Sequence, residues 1–253
     1  MPDFNPSDDA YSIKSGNTSG ANVASKLLGS RDYGTSYSMI HNPSGTVFQY
    51  MYIGPRPISA VGYFAIHRGH LIFDLSGASG TVISADLCLY AYTADSGGSI
   101  NNGYSFYVVG HDYGGALNAA ADDVNPTNNT TGDWTSTSVP TYSSEITVNG
   151  VSAGDLISVT LNSDAITAIN SAVGSGDFDI GLVGNDDYKA DFTISTYTDN
   201  TFGYNGVTIY SQDASTSGYR PVLELTYATP PILPRLNVKS GQINVKGGTL
   251  TIK

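Results

Sequence analysis

Four histidines, His41, His67, His70 and His111, are the side chains of this chain best suited to general acid–base work near neutral pH. A Ser-His-Asp constellation would need one of them beside a recognisable nucleophile, and none stands in such a context. His67 and His70 flank Arg68 on what reads as a strand, where a spacing of three puts them on opposite faces. That excludes a joint metal site on a regular strand, and both are expected at the surface. Asp122-Asp123 and Asp186-Asp187 could be read as glycosidase acids. Adjacent strand residues point opposite ways, however, and paired loop carboxylates are common in an acidic chain. The expectation is a protein that is not an enzyme.

Two other chemistries remain open. Asp122, Asp123, Asn125, Asn128, Asn129 and Asp133 crowd one segment, and Asn185, Asp186, Asp187 and Asp191 form a second cluster. Hard oxygen ligands on loops suit calcium, with Asp122, Asp123, Asn125 and Asp133 as its ligands. Neither cluster follows the EF-hand pattern, and Asp and Asn also simply make turns. No other cofactor is expected. Sugar binding would need exposed aromatic rings. Of 18 tyrosines, Tyr33, Tyr37, Tyr113, Tyr142, Tyr188, Tyr197 and Tyr204 fall in or near expected loops, and Tyr113, Tyr142, Tyr188 and Tyr204 are the candidate ligand-binding set. Trp134, in Gly-Asp-Trp-Thr, reads as core.

The elements that must position these residues are strands. Only 13% of the residues are charged, glycine numbers 29, and Ser, Thr, Asn and Tyr are abundant, which suits short strands joined by tight turns. The 253 residues allow one large β domain or two small ones. The formal net charge of −11 argues against nucleic acid and against anionic membranes as partners. The single cysteine, Cys88, allows no intrachain disulfide and no zinc cluster. The beginning of the chain shows no secretory signal, and no apolar run approaches a membrane span.

Strand signals recur at 11–14, 47–53, 71–75, 83–92, 104–109, 145–148, 156–161, 178–182, 192–194, 207–209 and 222–227. Asn149-Gly150 between two of them predicts a hairpin. The 110–143 segment breaks the rhythm. One helix is predicted over 163–173, capped by Ser163 or Asp164 and ended by Gly174, plugging an end of the β structure. The predicted organisation is an N-terminal arm or first edge strand over 1–12, a sandwich domain over 13–228, a Pro-rich linker over 229–235 and a tail over 236–253. The tail carries a seven-residue repeat, with Leu236, Ile243 and Leu250 at equivalent positions and Asn-Val-Lys written twice. Its glycines and β-branched residues exclude a coiled coil and predict short strands. A ribbon so small lacks a core of its own, so it either packs on the main domain or pairs with copies from other subunits.

In order along the chain come Asp9-Ala-Tyr11, Tyr52-Ile-Gly54, Arg68-Gly-His-Leu-Ile-Phe-Asp-Leu-Ser76 and Ile83-Ser-Ala-Asp-Leu-Cys-Leu-Tyr90. Val151-Ser-Ala-Gly-Asp155, the helix, Gly181-Leu-Val183 and Arg220-Pro-Val-Leu-Glu-Leu-Thr-Tyr227 follow. This series, over roughly 9–228, resembles the jelly-roll modules of the DNRLRE type, related to carbohydrate-binding modules. The long loop before Val47, the acidic 110–143 insert and the 230–253 tail depart from that pattern. The tail is similar in style to the ends of phage fibre and head-decoration proteins.

The resemblance implies an all-β, antiparallel sandwich of jelly-roll type with one short α-helix and a short β-rich C-terminal tail. It also implies display or binding, since members serve in surface proteins, polysaccharide enzymes and phage particles. The leading expectation is a non-enzymatic exterior virion protein, a capsid decoration or fibre component released by lysis. It would contact other virion proteins or its own copies through the tail. The alternative is a glycan-binding surface module, calcium-dependent or not, for host or environmental glycans. An accessory domain of a polysaccharide-degrading enzyme comes third.

Overall fold

The computed structural model describes residues 3–17, 38–41, 49–59, 63–92, 104–111, 139–189, 206–229, 236–239 and 242–245. Their strands are β1 (Asp3–Phe4), β2 (Asp8–Asn17), β3 (Ser38–His41), β4 (Tyr50–Ser59), β5 (Tyr63–Asp74), β6 (Val82–Tyr90) and β7 (Tyr104–Gly110). They continue with β8 (Ile146–Val148), β9 (Leu156–Thr160), β10 (Asp177–Gly184), β11 (Val207–Tyr210), β12 (Val222–Tyr227), β13 (Leu236–Lys239) and β14 (Gln242–Val245). Two short helices are α1 (Ser163–Ala172) and α2 (Asn185–Lys189). Predicted positions 192–194 and 250, and Trp134, lie outside the described residues.

Two antiparallel sheets face each other. The smaller has the order β1-β12-β6-β9; the larger runs β11-β4-β5-β10-β7-β8, with β2 also on β5 and β3 on β2. Alternation fills the space between them. The large sheet contributes Leu71, Phe73, Phe106, Val108, Phe178, Ile180 and Leu182; the small one contributes Leu87, Leu89, Ile157, Val159, Leu223 and Leu225. Each such side chain contributes about 1.5–3 kcal/mol by leaving water. The chain is therefore an all-β antiparallel sandwich. Of the arm or first edge strand expected over 1–12, the described residues form strand: Asp3–Phe4 pairs with β12 at the edge of the smaller sheet and Asp8 onward pairs with β5.

Helix α1 sits between the sheets, against β6 of one and β10 of the other, and buries Ala165, Ile169 and Ala172. Its N-cap is Asn162, not Ser163 or Asp164: the Asn162 carboxamide oxygen accepts from the Asp164 and Ala165 N–H groups at 3.0 and 3.1 Å. Gly174, at φ +76°, follows its end as predicted. The Asn149-Gly150 turn does not form the expected hairpin. β8 pairs with β7 of the large sheet and β9 with β6 of the small one. Residues 149–155 cross between layers about 10 Å apart, a distance that a two-residue turn does not span.

Gly54 steers the large sheet. Residues 50–53 of β4 pair with β11, whereas from Gly54 onward β4 pairs with β5. The change of partner falls on a φ of +101°, which glycine adopts without strain. A Cβ there, or on Gly184, would overlap the Tyr104 phenol, which lies between the two glycines.

Candidate functional site

The outer face of the large sheet carries a closed polar group. On β5, Arg68 and His70 lie on the face opposite Leu71 and Phe73 and are fully buried, and His67 is buried on the other face. The expectation of surface histidines is corrected, since the sheet is covered on both sides here. Arg68 Nε donates to Asp187 Oδ2 at 2.7 Å and Nη2 donates to Oδ1 at 3.0 Å, a two-bond fork with both side chains at 0% exposure. Asp187 belongs to α2, so this ion pair pins the helix onto the sheet. Beside it Tyr107, Val109, Val139, Val183 and Tyr188 form a second apolar cluster.

The His70 and His111 rings stand 6.3 Å apart at 84°. Burial, then the charges of His111 and Arg68, holds the His70 pKa well below 6.5, so His70 is neutral. A base so placed has the right proton state but no access to a substrate. Among the described residues no group of three or more His, Cys, Asp or Glu could hold a metal ion. Of the second Asp/Asn cluster, Asp187 is engaged by Arg68 and Asp186 is buried. Asp122, Asp123, Asn125 and Asp133 lie outside the described residues.

The expected tyrosine platform is also corrected where it can be seen. Tyr142 is buried, stacked on Phe178 at 5.7 Å, and Tyr188 is buried, stacked on Tyr107 at 4.1 Å. Both rings sit in packed clusters and offer no face to a sugar. Tyr113 and Tyr204 lie outside the described residues.

The structure gathers a different set, from strands. On β4, Met51 and Ile53 point into the core and Tyr50 and Tyr52 lie outside, half-buried. On β11, Val207 and Ile209 are inside and Tyr210 outside; at the end of β6, Leu89 and Ala91 are inside and Tyr90 and Tyr92 outside. Tyr210 is the register partner of Tyr50. An Ala91–Ile209 bridge and a 2.8 Å bond from Tyr92 N–H to the Thr208 carbonyl close the two sheets along this seam. Tyr219 arrives from a 3-10 turn, Ser217–Tyr219, with its phenol over Gly154.

The rings form one strip. Centroid separations are 5.2 Å for Tyr52–Tyr50, 4.5 Å for Tyr50–Tyr92, 4.9 Å for Tyr92–Tyr210, 4.9 Å for Tyr210–Tyr219 and 5.8 Å for Tyr219–Tyr90. Tyr50 stacks on Tyr92 at 17°, Tyr210 on Tyr219 at 28°, and Tyr92 meets Tyr210 edge-on at 85°. Burial, then the nearby Cys88 and Glu224, raises the Tyr90 pKa, so this phenol keeps its proton at neutral pH. Two residues before Tyr90 on the same strand, burial and then Glu224 push the Cys88 thiol up to about 11, which leaves it unreactive. The strip offers apolar ring carbon and phenolic hydroxyls, a chemistry of contact and hydrogen bonding.

Sequence reasoning passed over this strip because it sought loop tyrosines. The signal was Tyr50-Met-Tyr52 and Tyr90-Ala-Tyr92, two period-two pairs of outward rings. It also passed over Gly150-Val-Ser-Ala-Gly154, which spells a nucleophile elbow. An elbow needs strand, turn and helix; here Ser152 lies in the crossing from β8 to β9, its N–H donating to Asp155 Oδ2 at 2.7 Å. The two sheets and the outer strip define a β-sandwich with an aromatic seam. No protein-family model matches the chain, and no curated protein matches it either.

Proposed function

We propose that this chain is a non-enzymatic structural protein of a virion exterior, a capsid decoration or fibre component. Its C-terminal repeat joins copies and its sandwich is displayed. The observation that carries this is the ribbon β13–β14, which pairs with no other strand among the described residues. Its register sets Leu236 opposite Val245 and Val238 opposite Ile243, so apolar positions of two repeat units stand opposite one another. A two-stranded ribbon is marginal in isolation and gains stability by adding strands or packing against another surface. Light scattering on the full chain and on a chain ending at Ala228 tests this. An oligomer that becomes monomeric on truncation is the expected result; two monomers would overturn it.

A second reading, glycan recognition by the displayed sandwich, is favoured by one observation, the half-buried strip from Tyr52 to Tyr90. The two roles are compatible, since the tail and the seam are separate parts of the chain.

A further inference from the structure

We propose that the tyrosine strip is a binding surface for an uncharged polysaccharide, an inference that rests on the glycan-recognition reading and gives it a place and a ligand class. Three observations carry it. First, the six rings fix one another at centroid separations from 4.5 to 5.8 Å while each stays partly open to solvent. A side chain already ordered by its neighbours loses little further freedom when a ligand arrives.

Second, among the described residues the surroundings are poor in aliphatic surface. Ile83 and Leu156 are the exposed large apolar side chains among the described residues, and only Leu156, register partner of Tyr90, adjoins the strip. Next to Tyr219 the exposed residues are Ser215, Thr216, Ser217 and Gly218. Protein interfaces concentrate apolar and Arg side chains at their centre. Rings edged by small hydroxyl residues instead match a ligand that alternates C–H faces with hydroxyl groups.

Third, charge selects within the sugars. Residues 236–253 hold Lys239, Lys246 and Lys253 and no Asp or Glu, so residues 1–235 hold the other eight basic residues and all 22 acidic ones, a formal −14. Chains of uronate or sulfate groups would meet a like-signed body, whereas a neutral hexose polymer would not.

Affinity electrophoresis in gels holding dextran, laminarin or galactomannan, against gels holding alginate or polygalacturonate, tests this on the full chain. Tyr92→Ala, Tyr210→Ala and Tyr219→Ala are run beside it, with circular dichroism to check folding. Tyr219, on a short turn, is the variant to keep if a strand variant fails to fold. The expected result is retardation by at least one neutral polymer, weakened at least tenfold by loss of an aromatic anchor. Retardation by the anionic polymers alone would overturn the ligand class yet leave glycan recognition standing. Retardation that the alanine variants leave unchanged would overturn the location. No retardation in any gel would sink both the inference and the reading beneath it. Ring substitutions that lower the mass in solution would instead mark the strip as an interface between copies.

Discussion

At the scale of single residues, the Arg68–Asp187 fork is the most exacting feature. Two charges at 0% exposure tolerate burial only together, so removing one strands the other. Arg68→Met or Asp187→Asn is expected to cost about 3–5 kcal/mol in urea unfolding. Arg68→Met with Asp187→Leu should cost less than either single change, and a double variant as weak as the singles would show that further groups depend on the pair. His70 adds a pH dependence. Its folded pKa lies well below 6.5, so as pH falls through 6.5 the unfolded chain takes up a proton that the folded chain refuses. Stability is therefore complete above 6.5 and falls below it, by up to about 1.4 kcal/mol per pH unit. Asp74 and Glu145, with lowered pKa values, titrate below 4.5 and leave this window clear. Unfolding free energies of the parent and His70→Gln between pH 7.5 and 5.5 should diverge as acid is added, with the parent falling faster. None of this was legible in the sequence. Arg68 is buried against Asp187 of α2, a helix that the five residues Asn185–Lys189 do not announce, and His70 stands against His111.

At the scale of elements, most of the sandwich was legible, because strands such as β9 and β12 bury one face and alternate. The failures share a cause. β7 is buried on both faces, so its sequence says strand without saying which side is core. The Asn149-Gly150 pair marks a turn but not its sheet, because pairing is decided by residues distant in the chain. Tyr142 and Tyr188 looked like loop rings for the same reason. The bend at Gly54 shows how a distant contact fixes a local choice. Gly54→Ala must accept φ +101° at about 1–2 kcal/mol and push a Cβ into the Tyr104 phenol at about 1–3 kcal/mol. A combined loss of about 2–5 kcal/mol is expected in denaturant melts. Adding Tyr104→Phe removes the nearest atom but leaves ring carbons 2.7 and 2.9 Å from that Cβ, so the double variant should recover only part of the steric cost. A double variant no more stable than Gly54→Ala would mean that the phenol oxygen contributes nothing to the loss.

For the whole molecule, the uneven charge decides how association should respond to salt. The body of 235 residues carries a formal −14 and the tail +3. If the tail of one copy docked on the acidic body of another, the attraction would be electrostatic and salt would weaken it. If tails join tails through their apolar positions, both the bodies and the tails repel, and salt relieves that repulsion. The ribbon register favours the second arrangement, because it sets Leu236 opposite Val245 and Val238 opposite Ile243, apolar against apolar, while Lys239 is opposite Gln242. Association of the full chain is therefore expected to tighten between 0.05 and 0.5 M salt, where the screening length falls from roughly 14 to 4 Å. Sedimentation velocity across that series reads it directly, with the chain ending at Ala228 as the monomer reference. Weaker association at high salt would move the tail onto the acidic body and would make Lys239, Lys246 and Lys253, not the apolar positions, the residues that join copies.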